Sequence, residues 1–343
     1  MKIAVTGALG QLGGELCRQI GHQAIPLDID TLDLTDCKAV LETLPPLGPD
    51  AIINCAAYTQ VDKAEKEPEL AHAVNVTAVE NLVAVCRKLD CPLVQISTDY
   101  VFGGERVQGS GFGVQDITRQ FSRGPFSREP EASAGKVQDS EVEIHPSSFI
   151  LHPSFNRPYR EDDPPSPQGV YARTKFAGEL AAANYEKHLI VRTCGLYARA
   201  SNSRAHNFVK TMLRLVSTQA EIRVVADQHC TPSYVPHVAR AVLFIAGVMN
   251  SRTAPWGIYH VTNSGATTWY DFAGEIIRQA GMEVTFKAIT TAEYGALAPR
   301  PSYSVLDIGK YERLGGPAMP DWKSALEEYF TEWKELQIAN YNL

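Results

Sequence analysis

The sequence predicts an α/β protein: a doubly wound parallel sheet followed by a smaller α/β domain. Three observations lead there. From Lys2 to Arg192, short β-branched or apolar runs alternate with longer stretches of helical spacing, the rhythm of βαβ units. Gly7, Gly10 and Gly13 stand between the first apolar run and the first helical stretch, where such folds turn tightly from strand to helix. After Arg192 the rhythm gives way to short strands mixed with helices, which marks a second unit.

Taken in order, the strands expected in the first unit are 3–6, 24–27, 51–54, 93–97 and 189–192, and helical spacing covers 11–20, 37–44, 70–89 and 170–186. Residues 103–155 break this order. They are rich in Gly, Ser, Pro, Gln and charge and keep neither period, so they predict a long, mobile surface insertion, with a lid over the site as the other reading. Beyond Arg192, helices are expected at 207–217, 236–249, 268–280 and 322–333, and strands at 222–226, 257–261 and 284–288. The division that follows is a dinucleotide-binding domain over 1–200 and a mainly substrate-binding domain over 201–343. A segment near 236–262 returns to the first.

Composition narrows the class. A chain of 343 residues has room for a nucleotide-binding domain and a smaller one. With 44% hydrophobic and 21% charged residues it reads as an ordinary globule. A net charge of −7 leaves no basic footprint for nucleic acid. The seven cysteines are odd in number, scattered and free of any C-x-x-C pair, so neither a disulfide frame nor a zinc site is expected. The longest apolar run, 238–249, contains Arg240 and falls well short of the ~20 residues of a membrane span. No signal-peptide pattern opens the chain, and a cytoplasmic protein is expected.

The glycine turn carries the first chemistry. Glycines let the backbone approach a pyrophosphate closely, and the free N–H groups of the helix start hold the anion. Asp28 closes the second strand about 20 residues on, where an acid bonding the adenosine ribose belongs. Asp30 and Asp33 are near enough to share that role, and any of the three is also compatible with simple solvation. No arginine adjoins them, which leans toward NADH over NADPH. Ala56 and Ala57, after the third strand, either leave room for the cofactor or pack the core.

Tyr171 and Lys175 form the only Tyr-x-x-x-Lys of the chain, one helical turn apart, and Thr98 ends the fourth strand at the sheet's carboxyl edge. A phenol of pKa near 10 is a poor acid or base at neutral pH, and an ammonium beside it favours the phenolate. Tyr171 can then give a proton to a carbonyl oxygen while Thr98 donates a hydrogen bond to it. Taken singly, Tyr171 reads equally well as a core ring with a wet hydroxyl, and Thr98 as a strand-end cap.

The segments GALGQLG (7–13), NCAAYTQVDKAE (54–65), STDYVFG (97–103), PYREDD (158–163), YARTKFAGE (171–179), GIYHVTNSGATTW (257–269) and RPSYSVLD (300–307) resemble the dTDP-4-dehydrorhamnose reductase family, over almost the whole chain. The resemblance implies a Rossmann-type fold and reduction of the 4-keto group of dTDP-4-dehydro-L-rhamnose by NADPH or NADH. It implies a catalytic group of Thr98, Tyr171 and Lys175. Cofactor contacts would come from Gly7, Gly10, Gln11, Leu12, Asp28, Asp33, Leu34, Ala56, Ala57, Tyr58 and Asn75, and substrate contacts from Val61, Tyr100, Asn207 and Arg300. Arg300 would meet a diphosphate in fork geometry.

There are departures from the family pattern. Gly195 stands where the family usually has a tryptophan against the substrate, and Ala172 where it has a glycine. The 104–156 stretch is much longer than the family's connection. Some members bridge dimers through a metal held by glutamates; only Glu15 matches, so no metal is expected, and a homodimer remains an option. Alternative readings are another nucleotide-sugar reductase or epimerase, and a non-catalytic cofactor-binding subunit such as the partner of methionine adenosyltransferase that the family resembles.

Overall fold

Five parallel strands from the first half of the chain build the sheet: β1 (Ile3–Thr6), β2 (Ala24–Leu27), β3 (Ala51–Asn54), β4 (Leu93–Thr98) and β5 (His188–Thr193). The computed structural model describes residues 1–103, 157–199, 206–248 and 255–341, so the expected insertion at 103–155 lies almost entirely outside the described residues. A sixth parallel strand, Gly257–His260, joins the edge beside β5, giving the order Gly257–His260, β5, β4, β3, β1, β2. The chain runs outward from β1 to β2 and then resumes on the other side of β1 with β3. Loops at the carboxyl ends of β1 and β3 therefore diverge and leave a crevice, the usual ligand site of such sheets.

The inner strands β1, β3, β4 and β5 are buried on both faces, and alternate residues feed two cores. Ile3 and Val5 join Leu12 and Leu16 of α1 (Gln11–Ile20) and the helix Val235–Val248 on one face. Ala4 points to the other, with Leu44 of α2 (Cys37–Leu47), Leu82 and Tyr185. A third core is built from the later chain: Tyr197, Val209, Met212, Phe272, Trp322 and Tyr329.

Three of the differences from the sequence expectation bear on packing around the site. α2 runs through Pro45 and Pro46 to a left-handed Gly48, whose N–H bonds the Pro45 carbonyl. The helix expected over 170–186 spans Gly169–Ala183, and Tyr185 beyond it reaches back to the Cys86 and Cys91 carbonyls. The helix expected over 70–89 starts at Pro68 and runs unbroken to Leu89, with a π turn at Ala73–Thr77 between Pro68–His72 and Ala78–Leu89. A Cβ at Gly178 would overlap the carbonyl oxygen of Asn75 in that turn. The widened turn and the glycine thus let the helix Gly169–Ala183 approach closely, and π turns of this kind gather at functional sites.

Candidate active site

The glycine turn is built against β3. Gly7 adopts a left-handed φ of +66°, and a Cβ there would meet the Ala56 nitrogen at 2.7 Å and the Cys55 carbonyl carbon at 2.8 Å. A Cβ at Gly13 would overlap the Gly7 carbonyl oxygen. Gly10 caps α1 without a side chain, and Gln11, Leu12 and Gly13 line the cleft above the sheet edge. The first-turn N–H groups of a helix have no intrahelical partner and carry partial positive charge, so this end suits a diphosphate. Asp28 is tied to the turn: its carboxylate accepts from Leu9 N at 2.8 Å and Ile29 N at 2.9 Å. Asp33 accepts from Thr35 N at 2.9 Å and lines the same end with Leu34. The residues present fit a dinucleotide: a side-chain-free cradle at the helix start, with carboxylates at the end where a ribose would lie.

The second half of the cleft is set by β4 and the helix Gly169–Ala183. Thr98 ends β4; its hydroxyl donates to Asp99 Oδ1 at 3.0 Å and accepts from Tyr100 N at 3.2 Å. The Tyr171 ring stands edge-on to Tyr100, with centroids 5.5 Å apart. Burial pushes the Tyr171 phenol up to about 12, the Thr98 hydroxyl pulls it down by a hydrogen bond, and the Asp99 and Cys194 side chains raise it further. One turn on, Lys175 is 5% exposed and donates from Nζ to the Ile96 carbonyl at 2.8 Å. Burial lowers its ammonium to about 8, against the charge of Glu179, which raises it. The expected depression of the phenol by lysine is not what governs here. Desolvation wins at both groups, so at neutral pH the phenol holds its proton, the form a general acid needs.

A charge network that sequence reasoning missed holds these residues in place. Glu179, two turns after Tyr171, accepts from Ser97 Oγ of β4 at 2.5 Å and from Arg192 of β5 at 2.9 and 2.6 Å. The Arg192 and Glu179 side chains are 1% and 2% exposed. The spacing 171, 175, 179 on one helix face was the available signal.

Among the expected residues, Gly7, Gly10, Gln11, Leu12, Asp28, Asp33, Leu34, Ala56, Ala57, Val61, Thr98, Tyr100, Tyr171 and Lys175 line one cleft of about 930 Å³, at the large end of small-molecule sites. Four others are engaged elsewhere. Asn75 is buried and bonds Tyr58 N at 2.9 Å and Thr174 at 3.0 Å; Tyr58 donates its hydroxyl to Glu67 at 2.6 Å. Asn207 caps the helix Phe208–Thr218 through Lys210 N and donates to Gln11 at 3.2 Å. The Arg300 fork is held by Asp62 at 3.0 and 2.7 Å, which leaves that geometry to an ion pair within the chain. Residues not foreseen on the wall include Cys194, Leu196, His206, Phe208 and Trp269. Glu15 is buried and takes hydrogen bonds from Arg18, Gln19 and Arg199. Among the described residues no group of three or more His, Cys, Asp or Glu is placed to hold a metal, and no helix is long and apolar enough to cross a membrane.

Comparison with known proteins adds a family to this geometry. The family model for the RmlD substrate binding domain matches residues 1–121 and 132–335. The spore coat polysaccharide biosynthesis protein SpsK of Bacillus subtilis is 34% identical over 335 residues, 96% of this chain and 97% of its own. A dTDP-4-dehydrorhamnose reductase from Clostridium acetobutylicum superposes with a TM-score of 0.76 at 35% identity, covering 96% of this chain and 99% of that one. The dTDP-4-dehydrorhamnose reductase of Bacillus anthracis in complex with NADP gives 0.75 at 33% identity, covering 97% and 100%.

Proposed function

We propose that this chain, which belongs to the RmlD substrate binding domain family, reduces the 4-keto group of dTDP-4-dehydro-L-rhamnose with NADPH or NADH, giving dTDP-L-rhamnose. The observation that carries this reading is that Thr98, Tyr171 and Lys175 line the same cleft as the glycine turn and Asp28. A nicotinamide dinucleotide held at the glycine turn would supply the hydride for reduction of the carbonyl carbon. Tyr171 gives its phenolic proton to O4 as negative charge develops there, so the carbonyl becomes an alcohol and the phenol a phenolate. Thr98, with its hydroxyl turned from Asp99, donates a hydrogen bond to the same oxygen, worth most in a site that excludes water. Lys175 keeps a buried positive charge one turn from Tyr171, which offsets the phenolate left behind. Gly7, Gly10, Leu12, Asp28 and Asp33 hold and orient the cofactor.

The test is consumption of NADPH or NADH with dTDP-4-dehydro-L-rhamnose, followed by loss of dihydronicotinamide absorbance. Tyr171→Phe lowers kcat by about 10²–10⁴ while cofactor affinity stays as in the wild type. Cofactor binding without turnover of any 4-keto sugar nucleotide would identify a binding subunit instead.

A further inference from the structure

Gly195 has a left-handed φ of +54° and no side chain at the wall of the cleft. A Cβ there would lie 3.3 Å from Cη2 of Trp269 and 3.1 Å from the Pro232 Cα, so the indole edge rests over the bare glycine. The indole is held on its other sides. Trp269 begins the helix Trp269–Ala280 directly after its N-cap, Thr268, whose hydroxyl accepts from Asp271 N at 3.0 Å. Phe208 packs beside the indole with centroids 4.7 Å apart, and Phe272 lies 6.3 Å away. Both Trp269 and Phe208 are only partly buried and face the cleft.

The position of this aromatic corner selects its ligand. Thr193 is the register partner of Thr98, and the Cys194 thiol donates to Asp99 at 3.0 Å, so Gly195, which follows them in the chain, lines the Thr98 side of the cleft. The glycine turn and the carboxylates of Asp28 and Asp33 belong to β1 and β2, on the far side of β3 and β4 from β5. Whatever meets Trp269 is therefore the substrate, on the side of the cleft where the keto group would be reduced, and not the adenosine. A deoxyhexose offers an indole its C–H face, and an aromatic wall with a few polar groups at its margin is the ordinary form of such a site.

We propose that Trp269, seated over Gly195 and backed by Phe208, is the residue that selects the sugar, forming the platform on which the apolar face of a nucleotide-linked deoxyhexose lies. The inference rests on the reductase reading and deepens it. In this chain the contact leaves little room at 195, where a Cβ would meet the indole at 3.3 Å and the Pro232 Cα at 3.1 Å.

The test compares wild type, Trp269→Ala, Trp269→Phe and Trp269→Leu by calorimetric binding of dTDP-L-rhamnose, dTDP alone and NADPH, with KM and kcat for dTDP-4-dehydro-L-rhamnose alongside. Trp269→Ala weakens dTDP-L-rhamnose by about tenfold or more and raises KM in step, while dTDP and NADPH bind as before. Trp269→Phe retains most of the affinity. Trp269→Leu keeps the core filled without a ring face and loses it, so the comparison stands even where the alanine variant folds poorly. Equal loss for dTDP and dTDP-L-rhamnose puts the indole under the base and overturns the proposal, as does unchanged sugar-nucleotide affinity in a wild type that turns over. A wild type that neither binds dTDP-L-rhamnose nor turns over its 4-keto precursor overturns the reductase reading itself.

Discussion

Replacing Lys175 with methionine should make the protein more stable and less active, and the structure gives the size of the first effect. The Lys175 ammonium is buried, and its pKa falls from 10.5 to about 8. At 1.36 kcal/mol per pKa unit, keeping that charge in the folded protein at neutral pH costs about 3 kcal/mol. Methionine fills nearly the same volume without charge, and volume-conserving exchanges themselves cost under about 1.5 kcal/mol. The Ile96 carbonyl, which accepts from Lys175, also accepts from Gln95 Nε2 at 3.0 Å, so it is not orphaned. The net expectation is a gain of about 1–3 kcal/mol at neutral pH. Its pH dependence is diagnostic. Below about 8 both folded and unfolded chains hold the proton and the full cost is present. Between about 8 and 10.5 the unfolded chain binds more protons than the folded one, so wild-type stability rises with pH and the advantage of the variant disappears. Urea midpoints of both proteins across that range, with turnover measured in parallel, make the assay. A variant no more stable than wild type at neutral pH, or a gap that does not narrow toward pH 10.5, refutes the argument.

Three further outcomes follow from the same geometry. Since Tyr171 holds its proton up to about 12 and Lys175 loses its own near 8, kcat/KM for reduction is level on the acid side of 8 and falls as pH rises through it, with Lys175→Met abolishing that limb. Gly13→Ala puts a methyl group on the Gly7 carbonyl oxygen and should weaken dinucleotide binding at least tenfold, read by titration of NADPH fluorescence. Glu179→Gln leaves Arg192 buried without its counter-charge and should cost about 3–5 kcal/mol in urea denaturation; an unchanged midpoint would mean the pair is dispensable.

Much of the sheet was legible because parallel strands are short, apolar and punctuated by turns. β1, β2 and β3 begin and end where the pattern does, and β4 and β5 extend it by a residue or two. That the glycine turn, Thr98, Tyr171 and Lys175 meet in one cleft was legible because each stands at a fixed place at the end of a strand or in the opening turns of a helix. The π turn at Ala73–Thr77 was not, because it is set by how closely Gly178 lets two helices meet. A periodicity read along one helix contains no term for its neighbour. The contact of Trp269 with Gly195 was hidden for the same reason: the glycine reads as a missing aromatic until the fold brings an indole over it.

The buried charges under the site suggest why its stability is given up. Glu179 is matched by the guanidinium of Arg192, which takes both carboxylate oxygens, while Lys175 hydrogen-bonds only the neutral Ile96 carbonyl among the bonds described. Lys175, Glu179 and Arg192 together sum to one positive charge, carried by Lys175 one turn from the phenol. That charge destabilises the fold at neutral pH for as long as Tyr171 keeps its proton. In the proposed reaction the phenol becomes a phenolate at the moment of proton transfer, and the unmatched ammonium then acquires its partner. An interaction absent from the resting protein and present only as the proton moves lowers the barrier without tightening substrate binding. A second carboxylate placed to neutralise Lys175 in the resting protein would stabilise the fold and cancel that advantage.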